Sequence, residues 1–247
     1  MNQEDDLLKN LRQILNEQGI ESFHVLEELV PVEEQMEYFR HFDKMRRENA
    51  AFDRDEEIVI LFSSNQNVER KRKSLTRLAS IPDVAAYRAI ETYHSSPAEP
   101  ELTNWSAMAL LGSKIVLSSN LSGQQQIYIS SGLGGLEKKL RFFGLFTTSE
   151  RQPLSDLQKE IVEREFRFQL QQADIEIEKF EIKENYFTLL MLFPIDVDAR
   201  LSINAAISEI NQYGNFLETR FLFTNVKILT ESEIKELLER GRPDIQG

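Results

Sequence analysis

The 247-residue chain has a formal net charge of −12 and no cysteine. Disulfides, thiolate zinc sites, iron–sulfur clusters and cysteine nucleophiles are therefore excluded. An acidic surface repels phosphate backbones and anionic lipid, so neither nucleic acid nor a membrane is expected as a partner.

Hydrophobic residues make up 41% and charged residues 28%, enough for a sizeable core in one large domain or two ordinary ones. The first six residues are polar and acidic, unlike a secretory signal. No stretch approaches roughly 18 apolar residues, the length needed to span a bilayer. A cytoplasmic location is the expectation.

Helical spacing dominates the front half. Leu7, Leu8, Leu11, Ile14 and Leu15 form one stripe, and Gly19 suits a C-cap. Phe23 to Val30 reads as a second helix or an extended link. Pro31 suits a helix start, with Val32, Met36, Phe39, Phe42 and Met45 facing inward. Glu33, Glu34, Glu37, Lys44, Arg46 and Arg47 fall on its outer face. Asp53 or Asp55 can cap the next element, with Glu56 and Glu57 in its first turn. That makes Ile58–Phe62 a buried helix in spite of its β-branched residues. Val68–Ser80, Pro82–His94 and Leu102–Leu121 follow with helical spacing.

The run Arg70-Lys71-Arg72-Lys73-Ser74-Leu75-Thr76-Arg77-Leu78-Ala79, then Pro82-Asp83-Val84-Ala85 and Trp105-Ser106-Ala107-Met108-Ala109-Leu110, resembles the HEAT and armadillo style of helical repeat over about residues 55–121. The resemblance implies a stacked scaffold for macromolecular contacts. At most two units are visible, fewer than a solenoid usually needs.

After Gln126 the period shortens. Ile127–Ile129 and Leu140–Phe146 read as two strands around a glycine-containing turn. Pro153–Ala173 is a helix with Leu154, Leu157, Ile161, Phe166 and Leu170 inward; Ser155 and Gln158 form a capping box. Strands Ile175–Lys183 and Tyr186–Ile195, helix Asp198–Tyr213 and strand Phe216–Leu229 follow. Thr230–Arg240 is a last helix, with Thr230 and Glu233 as a second capping box. This order of strand, helix, strand, strand, helix, strand resembles ferredoxin-like folds over about residues 126–230. The expected fold class is α+β: an all-helical region at 1–122, then at 126–247 a ferredoxin-like antiparallel sheet with two helices on one face. An extra N-terminal strand and a C-terminal helix complete the second part.

Both faces of that sheet read apolar. One set holds Leu140, Phe142, Phe146, Phe187, Leu189, Met191 and Phe193; the other holds Phe143, Leu145, Leu190, Leu192 and Leu222. Helices cover one face of such a sheet, so the second needs a cover. Either the helical half or another molecule supplies it, which makes these five residues a candidate interaction face.

Three polar clusters complete the candidates. Gly132, Gly134 and Gly135 beside Lys138, Lys139 and Arg141 form a possible anion site, or else a hairpin turn that needs positive φ. Arg70, Lys71, Arg72, Lys73 and Arg77 form a possible basic contact, or a solvated helix face. Glu33, Glu37 and His41 share one helix face, yet no second helix brings matching metal ligands, so neither metal nor cofactor is expected. No catalytic constellation stands out. The sequence therefore reads as a non-catalytic interaction or scaffold module, a subunit with a protein partner or self-association. A regulatory domain binding a metabolite or anion is the alternative.

Overall fold

The computed structural model describes residues 23–48, 51–123 and 127–239. The stripe at Leu7–Leu15, Gly19 and the residues after Glu239 lie outside them. The fold is α+β, a helical region followed by a curled antiparallel sheet. It divides into two compact units, one ending at Ser130 and the other beginning at Ser131. Among the described residues, no helix is long and apolar enough to cross a membrane.

The helical unit contains α1 (Val32–Glu48), α2 (Arg54–Phe62), α3 (Val68–Ala79), α4 (Val84–Ser95) and α5 (Thr103–Ser122). Short polar side chains start three of them. Asp53 accepts from the Glu56 amide, Asn67 from Arg70 and Asp83 from Ala86, each satisfying an amide that has no partner within its helix. Gly123, at φ +68°, ends α5 in the left-handed conformation that glycine adopts without Cβ strain.

All five helices close on one core that holds Tyr38, Leu61, Leu75, Leu78, Ile90, Tyr93, Trp105 and Met108. Trp105 sits at its hub. The Tyr38 ring meets it edge-on at 5.3 Å, and its indole N–H donates to Thr76 Oγ1 at 3.2 Å.

Two expectations shift here. In α1 the buried residues are Gln35 and Tyr38, while Met36 is 58% exposed. Gln35 tolerates burial because its amide donates to the Val30 carbonyl at 2.7 Å. In α2 only Leu61 of the apolar run is fully buried, whereas Val59 and Phe62 are exposed, so the helix is amphipathic rather than buried all round.

The ends of this unit pair with each other. Strand β1 (Phe23–Val25) runs parallel to β2 (Ile127–Ile129), and the Leu26 amide donates to the Ile129 carbonyl at 3.1 Å. Residues 127–129 thus pair with β1 and not with the strand at 140–146. Of the two readings of Phe23 to Val30, the link is the one found: Phe23–Val25 is a strand and the residues from there to Val30 form no helix.

The second unit contains β3 (Gly135–Leu136), β4 (Lys139–Thr148), α6 (Asp156–Gln172), β5 (Glu176–Ile182), β6 (Tyr186–Pro194), α7 (Ala199–Asn211), β7 (Leu217–Thr224) and α8 (Glu231–Glu239). The four long strands lie in the order β7–β4–β6–β5, every neighbour antiparallel, and β3 extends the start of β4.

One sheet face is aromatic. Phe142 stacks on Phe223 at 4.4 Å and Phe146 on Phe187 at 4.9 Å, while Phe166 of α6 meets Phe146 edge-on at 5.1 Å. Gly144 makes room for this: a Cβ there would stand 2.7 Å from the Phe146 ring. Leu157, expected on the inner face of α6, is 66% exposed; Val162, Phe166 and Leu170 are the residues that it buries.

The other face is covered within the same unit. Phe143, Leu145 and Leu222 are buried together with Leu133 and with Ile234 of α8, and Leu190, Leu237 and Leu238 pack around them. The cover is the C-terminal helix. The expected capping box holds it in place: the Thr230 amide donates to Glu233 at 2.8 Å, and the Glu233 amide donates to Thr230 Oγ1 at 3.3 Å. Lys183 reaches Glu231 at 3.1 Å, and Lys227 pairs with Glu233.

Candidate functional site

The basic cluster on α3 is largely consumed by carboxylates. Arg70 donates to both oxygens of Glu57 at 2.6 and 3.0 Å, Ser74 donates to Glu57 at 2.7 Å, and Arg77 pairs with Glu57 as well. Glu57 is buried. Burial pushes its pKa up, but the hydrogen bonds from Arg70, Ser74 and Arg77 outweigh that and hold it below the ordinary carboxylate value. Lys71 is buried too and donates to Glu99 at 2.5 Å, while the Tyr93 hydroxyl bonds the same carboxylate. Burial, and then Glu99, drive the Tyr93 pKa upward. Arg72 lies 5.0 Å over Trp105 and 3.6 Å from Glu37. Of the five cations only Lys73 is exposed.

The glycine-rich loop serves backbone packing. A Cβ on Gly132 would fall 1.8 Å from the Val226 carbonyl oxygen, and the neighbouring Leu133 amide donates to the Asn225 carbonyl at 3.0 Å. Gly134 has φ +63°, as a turn requires. Gly135 belongs to β3. Lys139 is held by Glu176 at 2.6 Å and Asp174 at 3.1 Å. Arg141 pairs with Glu178 at 2.5 Å and donates to the Leu133 carbonyl at 2.8 Å. Lys138 is exposed.

Of the proposed interaction face, Phe143, Leu145 and Leu222 are buried in the α8 cluster, with Leu190 packed against it, and Leu192 is also buried. Glu33, Glu37 and His41 do not converge: Glu37 faces Arg72, and the His41 ring packs edge-on against Trp105 at 5.4 Å. Among the described residues, no group of three or more His, Cys, Asp or Glu could hold a metal ion.

A concave site does exist in the helical unit, between α1 and α5. It is a groove of about 680 Å³. Tyr38, Phe39 and Phe42 line one wall, Met108, Leu111, Ile115 and Val116 the other, and Asp43, Arg46 and Asn120 bring polar groups to it. Gly112 shapes it: a Cβ there would stand 3.3 Å from the Tyr38 hydroxyl oxygen, so a small residue lets the Tyr38 ring lie close to α5. The Tyr38 and Phe42 rings are stacked, with centroids 6.0 Å apart and planes inclined by 25°.

Among the described residues, Arg46 is the one cation that lines the groove. Arg40, Lys44 and Arg47 are exposed and stand at i, i+4 and i+7 on the adjoining face of α1, where they line a second, shallower concavity with Asp43 and Glu48. Their Cα atoms rise along the helix by about 6 and then about 4.5 Å. Arg40 Nε donates to the Met36 carbonyl at 3.2 Å, and Lys44 lies 4.0 Å from Glu48. The sequence reading missed this site. Phe39 and Phe42 do lie on the inner face of α1, half-buried against the core, but Arg46, expected on the outer face, lines the groove.

No family model and no curated protein matches the chain. Among the solved structures that show a partial likeness are two transposases. One is a putative transposase from Deinococcus radiodurans R1, 19% identical, with a TM-score of 0.37; the match covers 41% of this chain and 90% of that one. The other is a REP-associated tyrosine transposase bound to a REP hairpin, 11% identical, with a TM-score of 0.33, covering 42% and 70%.

Both neighbours are transposases, and this overturns several expectations. The reading as a non-catalytic scaffold or complex subunit is withdrawn, together with its regulatory alternative, the exclusion of an enzyme and the exclusion of nucleic acid. The likeness is too slight to put an activity in their place.

Proposed function

We propose that the chain contacts single-stranded nucleic acid through the α1–α5 groove. The observation that carries this reading is a groove walled by Phe39 and Phe42 and lined by the exposed Arg46, with Arg40, Lys44 and Arg47 exposed further round the same helix. Single strands are held by this combination: bases stack on aromatic or apolar surface while cations track the phosphates. A duplex hides its base faces and gains little from such a groove.

The net charge of −12 works against the same contact everywhere else on the surface. Binding is therefore confined to this one face, weak, and sensitive to salt. The absence of cysteine fits a reducing interior such as the cytoplasm.

Fluorescence anisotropy with a labelled thymine 12-mer tests the reading. Binding should weaken with salt with a slope of about −2 to −3 in log–log form, as expected when three or four phosphates are neutralised. The triple change Lys44→Glu, Arg46→Glu and Arg47→Glu should abolish it, with the helical circular dichroism intact because all three residues are exposed. No binding by the unaltered chain at about 50 mM salt, or equal binding by the triple variant, would sink the reading.

A further inference from the structure

We infer that the groove prefers guanine to the other bases of a strand, an inference that rests on the reading above. Asp43 and Arg46 stand three residues apart on α1, close enough to be neighbours on its surface, and both line the groove. They bring a carboxylate and a guanidinium to the wall that carries Phe42, with Leu111 and Ile115 on the other wall.

Guanine complements that pair most fully. Its N1–H and N2–H groups lie next to each other on one edge, so both oxygens of one carboxylate can accept from them. Its O6 and N7 are adjacent acceptors matched to the fork of a guanidinium. Adenine and cytosine offer a carboxylate one amino group and no N–H beside it. Thymine and uracil offer one N–H flanked by two carbonyls, which a carboxylate repels. Asn120, on the α5 wall, adds an amide that can donate or accept.

The guanine ring is common to DNA, RNA and free nucleotides, so the test needs an arm for each. The full chain would be titrated into labelled thymine 12-mers carrying one central guanine, adenine or cytosine, and into the matching uracil-based RNAs, with GMP as competitor. The guanine-containing oligomers should bind about tenfold more tightly than the others, as one well-made two-bond contact provides. Asp43→Asn replaces one acceptor oxygen with a donor and should bring the guanine oligomers down to the level of the adenine ones. Because Asp43 is exposed on a helix, its replacement leaves the core untouched.

Equal affinity for all the oligomers overturns the guanine preference and leaves strand binding standing. A preference that survives in Asp43→Asn overturns it as well. Absence of binding to every oligomer overturns strand binding and the preference with it. Displacement by GMP at equimolar concentration supports guanine recognition and identifies the ligand as the nucleotide instead of the strand.

Discussion

Glu57 accepts from Arg70 through both of its oxygens, at 2.6 and 3.0 Å, and does so from a buried position on α2. This two-pronged contact joins α2 to α3 and leaves the α3 guanidinium little to offer a ligand. Glu57→Gln should cost about 3 kcal/mol in urea unfolding, because Arg70 and Arg77 are left part-buried without a compensating charge. A loss below about 0.5 kcal/mol, the size of a surface change, would show that the arginines turn to solvent at no cost.

The pH dependence of the same contact follows from its sign. The Glu57 carboxyl sits below its ordinary value of 4.5 in the folded chain. Its contribution is complete above that value and is lost as pH falls through the lower, folded one. Acid unfolding of wild type and Glu57→Gln should therefore converge below pH 4.5. Parallel curves throughout would contradict it.

Helix α8 carries its own acid-sensitive latch. The Lys227 ammonium, then the Thr230 amide and hydroxyl, hold the Glu233 carboxyl down at about 2. The latch is complete above the ordinary 4.5 and is lost as pH falls toward 2. Thr230→Ala removes the N-cap and should loosen the helix by about 1 kcal/mol. Amide exchange at Ile234 would report this as roughly fivefold faster, and unchanged exchange would count against the cap.

Gly132 distinguishes packing from ligand binding. With the Val226 carbonyl 1.8 Å from any added Cβ, Gly132→Ala must push the two backbone segments apart. Thermal unfolding should show a loss of about 2 kcal/mol or more, as overpacking typically brings. A variant as stable as wild type would mean that the loop has room to spare.

Leu145 is the test of the covered face. It is buried between β6, β7 and the α8 cluster. Leu145→Ala should cost about 2–5 kcal/mol in denaturant unfolding. A loss under about 1 kcal/mol would mean that α8 does not seat as described.

What the sequence made legible was local. The α2 helix could be read through its β-branched run because Asp53 and the acidic first turn announce a start. The capping boxes at Ser155 and Thr230 stand where their spacing put them. The two apolar sheet faces could be read from alternation alone. What stayed hidden was non-local. Phe23–Val25 has no strand signal of its own, because its partner lies about a hundred residues away. The cations of α3 were visible, but Glu57 and Glu99, which neutralise Arg70, Arg77 and Lys71, come from other parts of the chain. Ile234, Leu237 and Leu238 form a short stripe that covers Phe143 and Leu145, yet a nine-residue helix gives too brief a period to announce its target. Phe39 and Phe42 look the same in sequence whether they floor a groove or fill a core.

The β1–β2 pair has a consequence for how this gene product could be built. Phe23 and Ile127 lie side by side in a ladder, about 5 Å apart, so the helical unit leaves the chain almost where it entered. Everything between them is a closed excursion. A segment with that property can be cut out, replaced by a linker of a few residues or moved into another host without stretching what flanks it.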